Sequence, residues 1–303
     1  MKYLMIIAIA LFLEASVHGG IIQVPTDQPT IQNGINAASQ GDTVLVAEGR
    51  YIENINFSGK AITIASHFIL DGDTTHTANT IIDGGRPAHP DSGSVVYFIS
   101  GEDTTSILTG FTITGGTGTL TEYSSGTWRS GGGIYCRESG ARISNNRVFG
   151  NVINDADLST SGGGILAYQA NEKPYVIIEH NVVRENVAES GSDYSQGGGI
   201  SFYANGKIIN NSIIGNISIA KNQGGGAGIV FGGDGPVLIQ DNTVMQNEGT
   251  TRGNQKSALA TICGMNARVE ITNNDISENA VRCVNTGAMG AGIYLYNVRE
   301  IAV

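Results

Sequence analysis

Asn145-Asn146-Arg147-Val148-Phe149-Gly150-Asn151 is a pattern that the chain uses five times. It returns as His180-Asn181-Val182-Val183-Arg184-Glu185-Asn186, Asn210-Asn211-Ser212-Ile213-Ile214-Gly215-Asn216, Asp241-Asn242-Thr243-Val244-Met245-Gln246-Asn247 and Asn273-Asn274-Asp275-Ile276-Ser277-Glu278-Asn279. Every copy carries Asn, then Val or Ile two residues on, then Asn five residues on. The first Asn falls at 146, 181, 211, 242 and 274, at intervals of 35, 30, 31 and 32, and the second Asn keeps the same intervals. Length varies only between copies, so the motif is a fixed unit of structure.

A period of this size marks stacked supersecondary units. The chain is 40% hydrophobic and 15% charged with 43 glycines, a composition that disorder would share, but its apolar residues recur in register. Together these predict an all-β, right-handed parallel β-helix with one coil per period. Ile143, Ile178, Ile208, Ile239 and Ile271 stand three residues before the first Asn, and Val148, Val183, Ile213, Val244 and Ile276 two after it. Both sets are expected to stack inward. The Asn residues between them are expected to form internal ladders, each amide bonding its equivalents in the coils above and below. Two glycosylation patterns, at Asn210 and Asn216, carry little weight because a ladder position would be buried.

A second marker, Gly131-Gly132-Gly133-Ile134, recurs at 162–165 and 197–200, and as Gly-Ala-Gly-Ile at 226–229 and 290–293; Leu259-Ala260-Thr261-Ile262 breaks it. Neither lysine nor helix follows, so this is no phosphate cradle but a tight turn between coils.

Residues 4–13 are apolar after Lys2, too short to span a bilayer, which needs about 20 residues, yet suited to a signal peptide cut near Gly19. The expected organisation is a leader over 1–19 and a β-helix over 20–303, with regular coils from about 131. No later stretch is apolar enough to cross a membrane. Thr30 is placed to cap a short helix whose Ile31, Ile35 and Ala38 share one face, covering the otherwise bare first coil. Strands are expected at 42–47 and 61–65, with turns at 48–51 and 57–60.

Thr30-Ile31-Gln32-Asn33-Gly34-Ile35, Gly41-Asp42-Thr43-Val44-Leu45-Val46, Gly49-Arg50-Tyr51-Ile52-Glu53-Asn54 and Gly59-Lys60-Ala61-Ile62-Thr63-Ile64 resemble the entry into the pectin-lyase-like β-helix superfamily. Asp71-Gly72-Asp73, Ile81-Ile82-Asp83-Gly84-Gly85 and the segment 107–116 are similar to bacterial surface β-helices. The resemblance covers nearly the whole chain and implies fold, not activity. The Arg-Asp expected of a pectinesterase after Gly110-Phe111-Thr112-Ile113, the Gly-His-Gly of polygalacturonases and the Trp-Ile-Asp-His of pectate lyases are all missing.

Two stripes beside the Asn spine are the candidate binding residues. Arg137, Arg142, Arg147, Arg184 and Lys207 are expected to gather within the first three motif coils as a basic patch, despite a net charge of -10. Such a patch suits the carboxylates of a uronate chain, and a lyase acting on one needs a cation and a base. Tyr168 and Tyr203 follow Arg137 in the register three residues past the Gly-marker Ile, with Tyr296 further on, and stacked tyrosines suit sugar rings. The bland reading of the basic stripe is a soluble wall, and that of the tyrosines is ordinary aromatic stacking on a parallel sheet.

The segments 152–161 and 187–196 read as loops piled on one corner and decorated by Asp155, Asp157, Glu189, Asp193 and Tyr194. Calcium is a weak possibility there or at Asp71-Gly72-Asp73, without a full EF-hand pattern; no other cofactor is expected. The acidic balance argues against nucleic acid. Cys263 and Cys283 form a pair only if the fold brings them together, leaving Cys136. The last coil opens at Gly290 without an evident cap, which suggests a downstream domain or a covering partner. Two functions follow: a secreted or surface module that binds glycans without cleaving them, or a polysaccharide lyase using Arg142, Arg147, Arg184 and Lys207.

Overall fold

The computed structural model describes residues 19–169, 175–233, 235–253, 261–283 and 292–298. The apolar leader at 4–13 lies outside them. The chain winds as a parallel β-solenoid, and five strands make one regular coil: Ile134–Arg137, Ala141–Ser144, Arg147–Phe149, Val152–Asp155 and Ser159–Ser161. We number the sheets that these strands build I to V. Among the described residues they contain eight, nine, eight, five and six strands, and coil follows coil in parallel register, with Ile134 opposite Ile165, Ile143 opposite Ile178 and Val148 opposite Val183.

Sheets I, II and III enclose the core. The expected inward stacks are buried, from Ile143 to Ile271 on sheet II and from Val148 to Val244 on sheet III. Ile276, on the last described coil of sheet III, is partly buried against them. The corners on either side of sheet III, toward sheet II and toward sheet IV, carry the Asn ladders. Asn181 Oδ1 accepts from the backbone N–H of Asn146 at 2.9 Å and from its Nδ2 at 3.2 Å. Asn181 in turn donates through N–H and Nδ2 to Asn211 Oδ1 at 2.9 and 3.1 Å, and Nδ2 also reaches the Ile143 carbonyl at 2.9 Å. The second ladder repeats this from Asn151 through Asn186 to Asn216. Each corner therefore satisfies buried polar groups through side chains that belong to neighbouring coils.

The residue before each ladder Asn turns the chain in the left-handed region: Asn145, His180, Asn210, Asp241 and Asn273 at one corner, and Gly150, Glu185, Gly215, Gln246 and Glu278 at the other. Asn216 is fully buried, whereas Asn210, outside the ladder, is exposed. In the glycine marker the first Gly has positive φ, while the next two lie against the following coil. A Cβ on Gly132 would stand 2.2 Å from the Gly163 carbonyl oxygen, so side chains are excluded there.

The segments read as piled loops are strands. Sheets IV and V pack against each other as an arm beside the core: Thr160 Oγ1 donates to Ser195 Oγ at 3.0 Å, and Ser195 Oγ to the Ala188 carbonyl at 2.7 Å. Mostly small residues, many of them polar, are buried on sheets IV and V, among them Thr160, Ala188, Ser195, Ser218 and Ala220, so apolar alternation is weak there.

At the N-terminus the helix Ile31–Ala37 closes the core as expected, with Thr30 Oγ1 accepting from Asn33 N–H. Glu53 accepts from the N–H groups of Ile31 and Gln32, and Lys60 Nζ donates to the carbonyls of Ile35, Asn36 and Ala38, so both ends of the helix are satisfied. Gly49–Ile52, expected as a turn, is instead a sheet III strand pairing with Thr80–Asp83. All three cysteines are free; Cys263 is on sheet I and Cys283 on sheet IV, so the conditional pair does not form. Among the described residues, no helix is long and apolar enough to cross a membrane.

Candidate functional site

Among the described residues the solenoid carries two insertions: the short helices Phe68–Asp71 and Thr74–Asn79, and a β-hairpin. Gly118–Tyr123 and Gly126–Ser130 form an antiparallel hairpin, turning at Ser124 and Ser125, whose second strand joins sheet V in parallel with Ser159–Ser161. The hairpin leans over sheet I and covers an outward column that would otherwise face water. Tyr97, Tyr135 and Leu166 stack in register there and are buried, forming a second apolar cluster against which Tyr168 packs. Their hydroxyls are bound by the hairpin: Tyr97 Oη lies 2.9 Å from Thr119 Oγ1, and Tyr135 Oη 3.0 Å from Thr121 Oγ1.

Where the hairpin ends, the corner between sheets V and I opens as a cleft of about 390 Å³. Its rings come from three elements. The hairpin supplies Tyr123 and Trp128, sheet I supplies Tyr168 and Tyr203, and sheet V supplies Tyr194. Tyr123 meets Tyr168 edge-on at 4.7 Å and Trp128 edge-on at 6.0 Å, while Trp128 and Tyr194 stack at 6.1 Å with planes 20° apart. Trp128 is opposite Ser159 on sheet V, and Thr160 opposite Ser195 sets Tyr194 one coil further on. The small Ser159 between them leaves room for the two rings to meet. Tyr168 and Tyr203 are 6.4 Å apart on adjacent strands of sheet I. Gly232 follows Tyr203 in that column, and a Cβ there would strike the Tyr203 ring at 2.8 Å. The tyrosine lies over that glycine.

The remaining lining is uncharged: Ser124, Ser125, Ser161 and Gln196 are polar, Leu166 and Met265 apolar. Burial pushes the Tyr123 and Tyr203 hydroxyls well above the ordinary tyrosine range, so they remain protonated donors in neutral water. Only Tyr194 among the five rings is exposed, at 38%.

The expected basic patch is not one patch. Arg137 stands on sheet I at the head of the tyrosine column, its Cζ 5.8 Å from the Tyr123 ring centroid and its Nη2 donating to the Glu122 carbonyl at 2.9 Å. Arg142 and Lys207 belong to one column of sheet II with Ile177 between them, and Arg142 is held by Glu179 at 2.6 Å. Arg147 and Arg184 are on sheet III, where both guanidinium groups lie over Phe149, at 4.8 and 5.6 Å, and Arg184 is paired with Glu185. Sequence offsets from the ladder Asn place these residues on neighbouring coils, but the corners at Asn145 and at Glu138 to Gly140 turn them onto three faces. A smaller hollow of about 340 Å³ lies beside Arg147 and Phe149, with Arg50 at its far side already bound to Asp83.

Three of the acids named for calcium have partners within the chain. Asp155 accepts from Arg129 at 2.8 Å and Glu189 from Arg252 at 2.6 Å, while Asp73 caps a short helix through Thr75 N–H. Among the described residues, no three His, Cys, Asp or Glu side chains converge as metal ligands would. The sequence reading found Tyr168 and Tyr203 but not Tyr123, Trp128 or Gln196 as their partners, and placed Tyr194 on a loop.

Fold and cleft together define a parallel β-solenoid with an aromatic corner on its outside. The family model described as a right handed beta helix region matches residues 132–303, more than half of the chain, and the chain belongs to that family. The hairpin that supplies Tyr123 and Trp128 precedes the matched stretch. No curated protein and no solved structure matches the chain.

Proposed function

We propose that the protein is an exported β-helix, secreted or held at the cell surface, that binds a glycan in the aromatic cleft without cleaving it. One observation carries this reading: five aromatic side chains from three separate elements converge on a single cleft of about 390 Å³. Aromatic rings offer apolar faces to the C–H faces of sugars, and their hydroxyl and amide neighbours offer hydrogen bonds. The cleft falls within the range of roughly 300–1,000 Å³ usual for sites that hold a small ligand. It is large enough for a short segment of a chain rather than a long stretch.

Lyase chemistry has less support. It asks for a cation and a base at one place on the substrate, whereas Arg142 and Lys207 are on one face and Arg147 and Arg184 on another. Acidic polysaccharide incubated with the protein is therefore expected to develop no absorbance from unsaturated ends.

Trp128 is the sole tryptophan, so its emission reports on the cleft alone. A bound oligosaccharide should shift that emission, and Tyr194→Ala, at an exposed position, should weaken the binding roughly tenfold. Affinity unchanged in Tyr194→Ala, or binding that leaves Trp128 emission untouched, would contradict the assignment.

A further inference from the structure

We infer that the cleft selects an uncharged glycan and discriminates against uronate chains, an inference that rests on the glycan reading above. Among the described residues lining it, none carries a charge: the polar groups are the hydroxyls of Ser124, Ser125 and Ser161, those of the tyrosines, and the Gln196 amide. Arg137, the nearest candidate cation on sheet I, does not line the cleft; it donates to the Glu122 carbonyl and lies against the outer ring of Tyr123.

A carboxylate brought into this corner would lose hydration against aromatic rings and find no cation among the described lining residues to replace it. Hydroxyls and amides compensate such a charge only in part. The net charge of -10 adds an unfavourable field for an approaching polyanion. An uncharged sugar meets neither cost. Its equatorial hydroxyls can exchange bonds with serine, glutamine and tyrosine groups, each of which both donates and accepts, while its C–H faces cover the rings.

Four other cations stand on different surfaces. Arg142 and Lys207 on sheet II, and Arg147 and Arg184 on sheet III, face away from the sheet V corner, and two of the four are already paired with carboxylates. A polyanion attracted to them would lie outside the cleft and leave Trp128 unperturbed.

The test is titration of the full chain with uncharged hexasaccharides (cellohexaose, mannohexaose, maltohexaose and xylohexaose) and with hexagalacturonate, following Trp128 emission beside calorimetry. At least one uncharged chain should bind and shift the emission, with hexagalacturonate roughly tenfold weaker or worse at the same site. Hexagalacturonate binding equally well with the same Trp128 response would overturn the selectivity while leaving glycan binding intact. If no saccharide of either kind perturbs Trp128, glycan binding fails and the selectivity falls with it. Ser125→Arg, at the exposed hairpin turn, should narrow the gap between the two classes; a gap that does not move would refute charge as the discriminator.

Discussion

Asn181 is both acceptor for the coil before it and donor to the coil after it. Removing its side chain strands the backbone N–H of Asn146 and one N–H of its amide inside a dry corner, and takes from Asn211 Oδ1 one of its two donors and from the Ile143 carbonyl the amide that reaches it. At about 1–3 kcal/mol for each buried group left unpaired, Asn181→Ala should cost several kcal/mol, read as a lower midpoint in urea unfolding. A loss below about 1 kcal/mol would mean that water enters the corner and the ladder is not what holds it. The ladder was legible because its residue type is fixed at every copy. The residue beside it was not, since Asn145, His180 and Asp241 share only a left-handed backbone, which side chains of several kinds reach.

At the scale of elements, the hairpin explains why the site was half visible. Tyr168 and Tyr203 recur with the coil period, so register alone aligned them. Tyr123 and Trp128 occur once, in an antiparallel insertion that no period reveals. Tyr194 was placed on a loop because the strands of sheet V, Ser159–Ser161 and Tyr194–Gln196, lack apolar alternation. The same hairpin makes stability depend on alkaline pH. Burial raises the Tyr97, Tyr123, Tyr135 and Tyr203 hydroxyls above their ordinary value, so the unfolded chain gives up these protons first. Stability from this source is complete below the unfolded tyrosine value near pH 10 and is lost as pH rises through the folded ones. Urea midpoints should hold between pH 7 and about 9 and fall above about 10. A flat profile through that range would deny that these rings are desolvated.

On the scale of the whole molecule, the stacking period and the inward apolar residues gave the solenoid, but one-dimensional offsets could not say where the wall turns. Residues five apart across a corner, such as Arg137, Arg142 and Arg147, end on different sheets, and the basic patch dissolves. What remains distinctive is the corner between sheets V and I, roofed by the hairpin and, among the described residues, lined without charge. The structure of the full chain with the uncharged hexasaccharide that most strongly shifts Trp128 emission tests this most directly. The account predicts sugar rings against Tyr168, Tyr194 and Trp128, with hydroxyls toward Gln196. Sugar seated instead beside Arg147 and Phe149 on sheet III, with the aromatic corner empty, would contradict it.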